Sequence, residues 1–323
     1  MLIWIIDEEW SDYDMEKEIL SKEFPEVEIK ISNYNYEKDL KEFGYKADGI
    51  LIQIYGYLKE DAIEQLVQCK GIATYGGGYD RIDIEACKKK KIHVTNIQDY
   101  CTMDIAYYTM AAIYHCNNRL FDYNNRILED INRGKWGAQS VIQPIHRLDQ
   151  QTLLIIGFGM IGKKVAEIAQ QNNLNIIAYD EFLSKEEIEK YGVKKVEWEE
   201  GFHQADYVSV NLKGCDENKD KITYRELKMM KKTAYIINTA RGKIIREKDL
   251  IHAVNEKEIS GAILDVIQVE PPTGKEEILH CDNIIVTPHI SYISIESFHL
   301  LKKYAIENLI SMLKGEKPRD FVC

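Results

Sequence analysis

Short apolar runs alternate with charged, helix-favouring stretches from the start of the chain: Leu2 to Ile6, Val27 to Ile31, Gly49 to Ile54, Gly71 to Thr74 and Ile92 to Thr95. Runs of this length predict buried strands, and their alternation with helical segments predicts βαβ units and a parallel sheet. From Thr102 to Arg133 the pattern becomes a long proline-free stretch rich in Ala, Met, Leu and Ile, which predicts one or two helices and a crossing between domains. A second series follows at Thr152 to Ile156, Leu174 to Tyr179, Tyr207 to Val210, Ala234 to Asn238, Ala262 to Val266 and Ile284 to Thr287. Six short strands with helices between them match a full doubly wound dinucleotide-binding sheet. The stretch Ser294 to Leu313 predicts a helix that ends near Gly315 and Pro318. No internal repeat or low-complexity linker interrupts the chain, so helices must make the domain joint.

A length of 323 residues suits two domains, and 45% hydrophobic with 29% charged residues is an ordinary globular composition. A net charge of -11 disfavours a nucleic-acid partner, and the one dense basic cluster, Lys88 to Lys91, is expected to be a solvated helix end. The apolar start meets Asp7, Glu8 and Glu9 at once, unlike a signal peptide, and no run is long enough to span a bilayer. A cytoplasmic protein with no membrane role is expected. Seven dispersed cysteines without a Cys-x-x-Cys pair read as reduced thiols, and no metal site is expected.

The segment Gly157-Phe158-Gly159-Met160-Ile161-Gly162 fits G-x-G-x-x-G, and its context gives the pattern weight. A strand pattern, Leu153 to Ile156, runs into it and a helical pattern, Lys163 to Ala169, runs out. Gly157 permits the tight turn, Gly159 lets backbone approach a pyrophosphate, and Gly162 lets helix pack on strand. The helix N-terminus then offers N–H groups to the anion. The following strand ends at Asp180, where a carboxylate can accept hydrogen bonds from both adenine ribose hydroxyls and repel a 2′-phosphate. Residues 181 to 184 include no arginine, so NAD is the expected cofactor. The cofactor set read from this region is Gly157, Gly159, Met160, Ile161, Gly162 and Asp180.

Three later strands each run into a polar loop: Asn238-Thr239-Ala240-Arg241-Gly242, Gln268-Val269-Glu270-Pro271-Pro272 and Pro288-His289. Ligands of open parallel sheets bind beyond the carboxyl ends of the strands, so Arg241, Glu270 and His289 are expected to converge near the nicotinamide. Taken singly, each could be an ordinary loop residue. Together they supply what ketone reduction needs. Arginine can fork onto a carboxylate, histidine can protonate a developing alkoxide, and glutamate can orient the imidazole.

The chain resembles the D-isomer-specific 2-hydroxyacid dehydrogenase family over essentially its whole length. The matching stretches are Gly76 to Asp83, Val94 to Ile97, the loop 157 to 162, Asn238 to Gly242, Gly261 to Val266 and Thr287 to His289. The resemblance implies an α/β fold of two doubly wound parallel-sheet domains. A Rossmann NAD-binding domain, residues 102 to 292, would be inserted in a flavodoxin-like substrate domain made of residues 1 to 101 and 293 to 323. It implies interconversion of a 2-oxo acid and a D-2-hydroxy acid with Arg241 binding substrate and Glu270 with His289 as the acid/base pair. Thr239, Ala240 and Asp265 join the cofactor set, with Asp265 by the nicotinamide carboxamide. Backbone N–H groups near Ile54, Tyr55, Gly77 and Gly78 would hold the substrate carboxylate. The helices after residue 102 imply a homodimer.

Some motifs depart from the usual pattern. Gln53-Ile54-Tyr55-Gly56 stands where many members carry arginine or smaller residues, Ser291-Tyr292 follows His289, and Asn211-Leu212-Lys213-Gly214 replaces the usual His-x-Pro-Leu near the adenosine. These features resemble the subgroup of C-terminal binding proteins, so an NAD-sensing corepressor-like interaction protein with secondary dehydrogenase activity is the alternative reading. That role needs extended partner-binding segments, and eight residues follow Gly315. A formate dehydrogenase would be expected to carry glutamine at position 270. Tyr55 and Tyr292 suggest a larger or aromatic substrate side chain.

Overall fold

A computed structural model describes all 323 residues. The chain divides into two compact units, Met1–Cys101 with Ile293–Cys323, and Thr102–Tyr292.

The first unit holds strands β1 (Leu2–Ile6), β2 (Glu28–Ser32), β3 (Gly49–Gln53), β4 (Gly71–Tyr75) and β5 (His93–Thr95). Every pairing is parallel and the order is β2-β1-β3-β4-β5, the flavodoxin-like arrangement. Trp4, Ile6, Ile50, Ile52, Ile72 and Val94 form one core. Helix Ile295–Lys314 belongs to this unit; Ser294 caps its start and Gly315, at φ 75°, ends it in the left-handed region.

The second unit holds β6 (Thr152–Ile156), β7 (Asn175–Tyr179), β8 (Lys194–Lys195), β9 (Tyr207–Val210), β10 (Tyr235–Asn238), β11 (Gly261–Leu264) and β12 (Ile284–Val286). The order β12-β11-β10-β9-β6-β7-β8 is that of a Rossmann sheet extended by one strand. Its strands read as continuous apolar runs because both faces are covered. Leu154, Ile156, Val208, Val210 and Ile236 point into one core, while Leu153, Ile155, Ala178 and Ile237 point into the other.

One feature differs from the periodicity. The sheet has seven strands where six are predicted: β8 is two lysines long, and a charged pair gives no apolar signal. The stretch after Thr102 forms two helices, Thr102–Asn118 and Leu120–Asn132, divided at Arg119, whose φ of 48° no α-helix accommodates.

No helix is long and apolar enough to cross a membrane. All seven cysteines are free, and no group of His, Cys, Asp and Glu side chains is placed to hold a metal ion.

Candidate active site

Sheet register gathers the polar loops of the second unit along one edge. Ile156 pairs with Tyr179 and Val210, Asn238 with Val210 and Leu264, and Leu264 with Val286. The residues that follow these strand ends, 157, 180, 211, 239, 265 and 287, therefore emerge side by side. The order reverses at β6, whose neighbours β7 and β9 lie on opposite sides, so the glycine loop sits at the switch point.

Packing requires two of the three glycines in that loop. Gly157 has φ 89°, and a Cβ there would stand 2.8 Å from the Asn211 carbonyl oxygen; one on Gly162 would collide with the Gly157 carbonyl oxygen. Gly159 is different, because no atom lies within 4 Å of its absent Cβ. It begins helix Met160–Gln171, which has no side-chain N-cap and no acidic residue in its first turn. The N–H groups around Met160 and Ile161 thus face an open cradle, as a pyrophosphate requires.

Asp180 is fastened to this loop. Its Oδ2 accepts from Phe158 N–H at 2.8 Å, and its Oδ1 from Phe182 N–H at 2.9 Å and Leu183 N–H at 3.1 Å. A carboxylate offers about four lone-pair sites, so the backbone orients Asp180 and leaves limited capacity for a ribose hydroxyl.

Buried Asn238 shapes the next loop: its Oδ1 accepts from Ala240 N–H at 3.0 Å and its Nδ2 donates to the Arg241 carbonyl at 3.0 Å, which fixes Thr239 and Ala240 between them. Arg241 Nη1 donates to the Ala240 carbonyl at 2.8 Å. Gly242 lies flat against the Ile267–Gln268 backbone, where a Cβ would overlap the Ile267 carbonyl. The Arg241 loop is thereby seated on the loop that carries Glu270.

Glu270 and His289 meet. Nδ1 of His289 is 3.3 Å from Glu270 Oε2, and Glu270 Oε1 accepts from Ile267 N–H at 3.1 Å. Both side chains are largely buried, at 11% and 13% exposure. His289 has φ 53°, a left-handed conformation that costs a non-glycine residue about 1–3 kcal/mol and persists where surroundings over-determine it. Asp265 does so here. Its Oδ1 accepts from Thr287 Oγ1 at 2.6 Å and Ile290 N–H at 2.8 Å, and its Oδ2 from Ser291 N–H at 2.8 Å. His289 N–H itself bonds the Asp265 and Thr287 carbonyls, both at 2.9 Å. Because Thr287 gives its one hydroxyl proton to Asp265, Tyr108, 2.5 Å away, must be the donor to Thr287. Burial pushes the Tyr108 hydroxyl up to about 12, which keeps that proton in place at neutral pH.

In the first unit, Ile54 and Tyr55 follow β3, and Gly77 and Gly78 follow β4. The Ile54 N–H is already taken by its neighbour, Gln53 Oε1, at 2.6 Å, while Gln53 Nε2 donates to Glu9 at 3.0 Å. Arg81 stacks on Tyr55 and Tyr57 and donates to the Tyr55 carbonyl at 3.1 Å, fixing that loop.

Residues 110–291 match the family model for the D-isomer specific 2-hydroxyacid dehydrogenase NAD binding domain. The glyoxylate reductase of Thermococcus litoralis is 31% identical to this chain, over 95% of its length and 96% of the relative's. The chain belongs to the D-isomer specific 2-hydroxyacid dehydrogenase family.

Solved structures agree with that membership. The D-lactate dehydrogenase of Aquifex aeolicus, complexed with NAD and lactic acid, superposes with a TM-score of 0.85 at 25% identity, covering 100% of this chain and 99% of that one. A D-isomer specific 2-hydroxyacid dehydrogenase of Lactobacillus delbrueckii ssp. bulgaricus in its NAD complexed form shares the fold at 23% identity, TM-score 0.76, with both chains fully covered. As a 2-hydroxyacid dehydrogenase the protein uses NAD, and the open cradle at Gly159 fits that group. Membership is shown for the family and not for its C-terminal binding protein subgroup.

Motif reading missed the parts of this dehydrogenase that hold its loops: Asn238, Thr287, Tyr108 and the loop-anchoring geometry of Asp265. An Asn or Asp at a strand end is a recognisable turn former, which makes Asn238 and Asp265 findable. Tyr108, far away in sequence, carries no such signal.

Proposed function

We propose that this dehydrogenase interconverts a 2-oxo acid and its D-2-hydroxy acid, with Arg241, Glu270 and His289 acting on the substrate. The observation that carries the reading is the buried His289–Glu270 pair on the strand-end edge that also bears the glycine loop. Held at the Gly159 loop and the start of the helix at Met160, a bound NAD would supply the hydride chemistry at the carbon that bears the oxygen. Arg241 pairs with the substrate carboxylate and polarises the neighbouring carbonyl. With Nδ1 facing Glu270, Nε2 of His289 is the atom that exchanges the proton: protonated His289 donates to the developing alkoxide in reduction, and neutral His289 accepts from the hydroxyl in oxidation. Glu270 holds the ring in that orientation.

By resemblance, backbone N–H groups at Tyr55, Gly77 and Gly78 of the first unit are assigned to a carboxylate. Ile54 is a weaker member of that set, because its N–H already has Gln53 as an acceptor. Tyr292 has its ring centroid 6.0 Å from the His289 ring, and its motif position beside the proton-exchanging residue is the reason a larger or aromatic substrate side chain is proposed. A homodimer is assigned to the arm after Asn118, where Leu120, Phe121, Leu128 and Trp136 are all about 70% exposed. No observation favours the corepressor-like reading.

The test is NADH oxidation with glyoxylate, pyruvate and phenylpyruvate, followed by chiral chromatography of the product. The D product is expected, with phenylpyruvate the best of the three, and His289→Ala loses most of kcat while NADH binding stays intact. An L product, or a His289→Ala variant with native kcat, refutes the assignment. Light scattering on Leu128→Asp, expected to be monomeric where the native chain is a dimer, checks the arm.

A further inference from the structure

The Arg241 stem lies on Gly214, in the loop after β9 where this chain has Asn211-Leu212-Lys213-Gly214. A Cβ built on Gly214 would overlap Arg241 Cγ and stand 3.3 Å from both Cδ and Nε. Gly214 does not have a left-handed φ, so its backbone would accept alanine, and the one thing its missing Cβ provides is room for that stem. Arg241 cannot yield by moving only its tip. The overlap falls near the root of the side chain, while the loop backbone is held from the other side by Asn238 and by Gly242 on Ile267–Gln268. Relief requires a different rotamer of the first or second torsion, which carries the guanidinium several ångströms away.

We propose that Gly214 is a positioning residue for Arg241, a specificity element that sets where the guanidinium meets the substrate carboxylate. The inference rests on the assignment of Arg241 to substrate made above. Misplacing a positioning group by about 1 Å can cost on the order of 100-fold, so a large effect is expected.

The experiment is a double-mutant cycle on the full chain: native, Gly214→Ala, Arg241→Ala and the double variant, each assayed with pyruvate and NADH and titrated with NADH by fluorescence. Gly214→Ala is expected to lower kcat/KM for pyruvate at least about tenfold, through both KM and kcat, with the NADH Kd within about twofold; in the Arg241→Ala background the same change should be worth less than about twofold. Gly214→Ser should repeat the pattern. Equal losses in both backgrounds, no loss in the native background, or loss of NADH binding along with substrate binding each overturn the inference. Arg241→Ala with native kcat/KM would overturn the carboxylate assignment itself and this inference with it, whereas a loss in Arg241→Ala without one in Gly214→Ala overturns the inference alone.

Discussion

Replacing Asp265 by asparagine keeps the side chain's shape and removes one of the two acceptors that hold the His289 loop. The native carboxylate accepts from Thr287 Oγ1, Ile290 N–H and Ser291 N–H, all within 2.8 Å, and the residue is 1% exposed. With the asparagine oxygen turned toward Thr287 and Ile290, the amide nitrogen meets the Ser291 N–H, donor against donor. The loss is one charge-assisted hydrogen bond, about 1.5–3 kcal/mol, together with a buried N–H left without a partner, so about 3 kcal/mol in all. At about 2–4 °C per kcal/mol for a unit of this size, Tm should fall by about 6–12 °C. The remaining bonds no longer over-determine the left-handed His289. If about 1.4–2.8 kcal/mol of that loss reaches the transition state, kcat for 2-oxo acid reduction falls about 10- to 100-fold. Stopped-flow kinetics, NADH titration and thermal unfolding of Asp265→Asn together decide the matter. A variant with kcat and Tm close to native would refute the argument that this carboxylate holds the loop. A weakened NADH Kd with native Tm would instead place Asp265 on the cofactor, as the resemblance implies.

Cofactor choice follows from Asp180: NADH should be strongly preferred over NADPH in kcat/KM, and Asp180→Ala should narrow the gap, partly by releasing the N–H groups of Phe158, Phe182 and Leu183; equal native rates with both cofactors would refute the reading. Because reduction uses protonated His289 and oxidation the neutral ring, reduction should fail on the alkaline side and oxidation on the acid side. Glu270→Gln replaces the carboxylate that orients the ring 3.3 Å from Nδ1 and should lower kcat in both directions with NADH binding intact, whereas native kcat would break the proposed pairing. Burial, then repulsion from Asp7, pushes the Glu9 carboxyl up to about 7, with the Gln53 hydrogen bond acting the other way. Folding therefore favours the protonated form, and that stability is present below the ordinary carboxylate range and lost as pH rises through about 7. Because only the carboxyl end of Glu9 is sheltered while the residue as a whole is exposed, solvent screening reduces the effect to about 1 kcal/mol. Glu9→Gln should thus be more stable than the native chain at about pH 8 and level with it near pH 4, and denaturant curves with no pH-dependent difference would refute this.

Residue type alone revealed the two β/α series, because strands buried on both faces must be apolar at every position, and Leu153 to Ile156 or Ile50 to Ile52 show that run plainly. It also determined the glycine loop, since the strand before it and helix after it leave little choice of turn, and it marked Arg241, Glu270 and His289 as polar residues at strand ends. Strand β8 escaped notice because two lysines at a sheet edge bury too little to leave a pattern, and the break at Arg119 because its left-handed backbone is carried by a residue type that rarely adopts one. Tertiary structure decided which polar groups are already spoken for: Asp265 turned onto the 287–291 loop, Gln53 onto the Ile54 N–H, and Tyr108 onto Thr287. It also decided that Gly214 makes room for Arg241. Periodicity records how much of a residue is buried, which each position reports alone. A hydrogen bond or a steric gap is a property of two residues, and only the packing of helices, strands and loops brings such pairs together from distant parts of the chain.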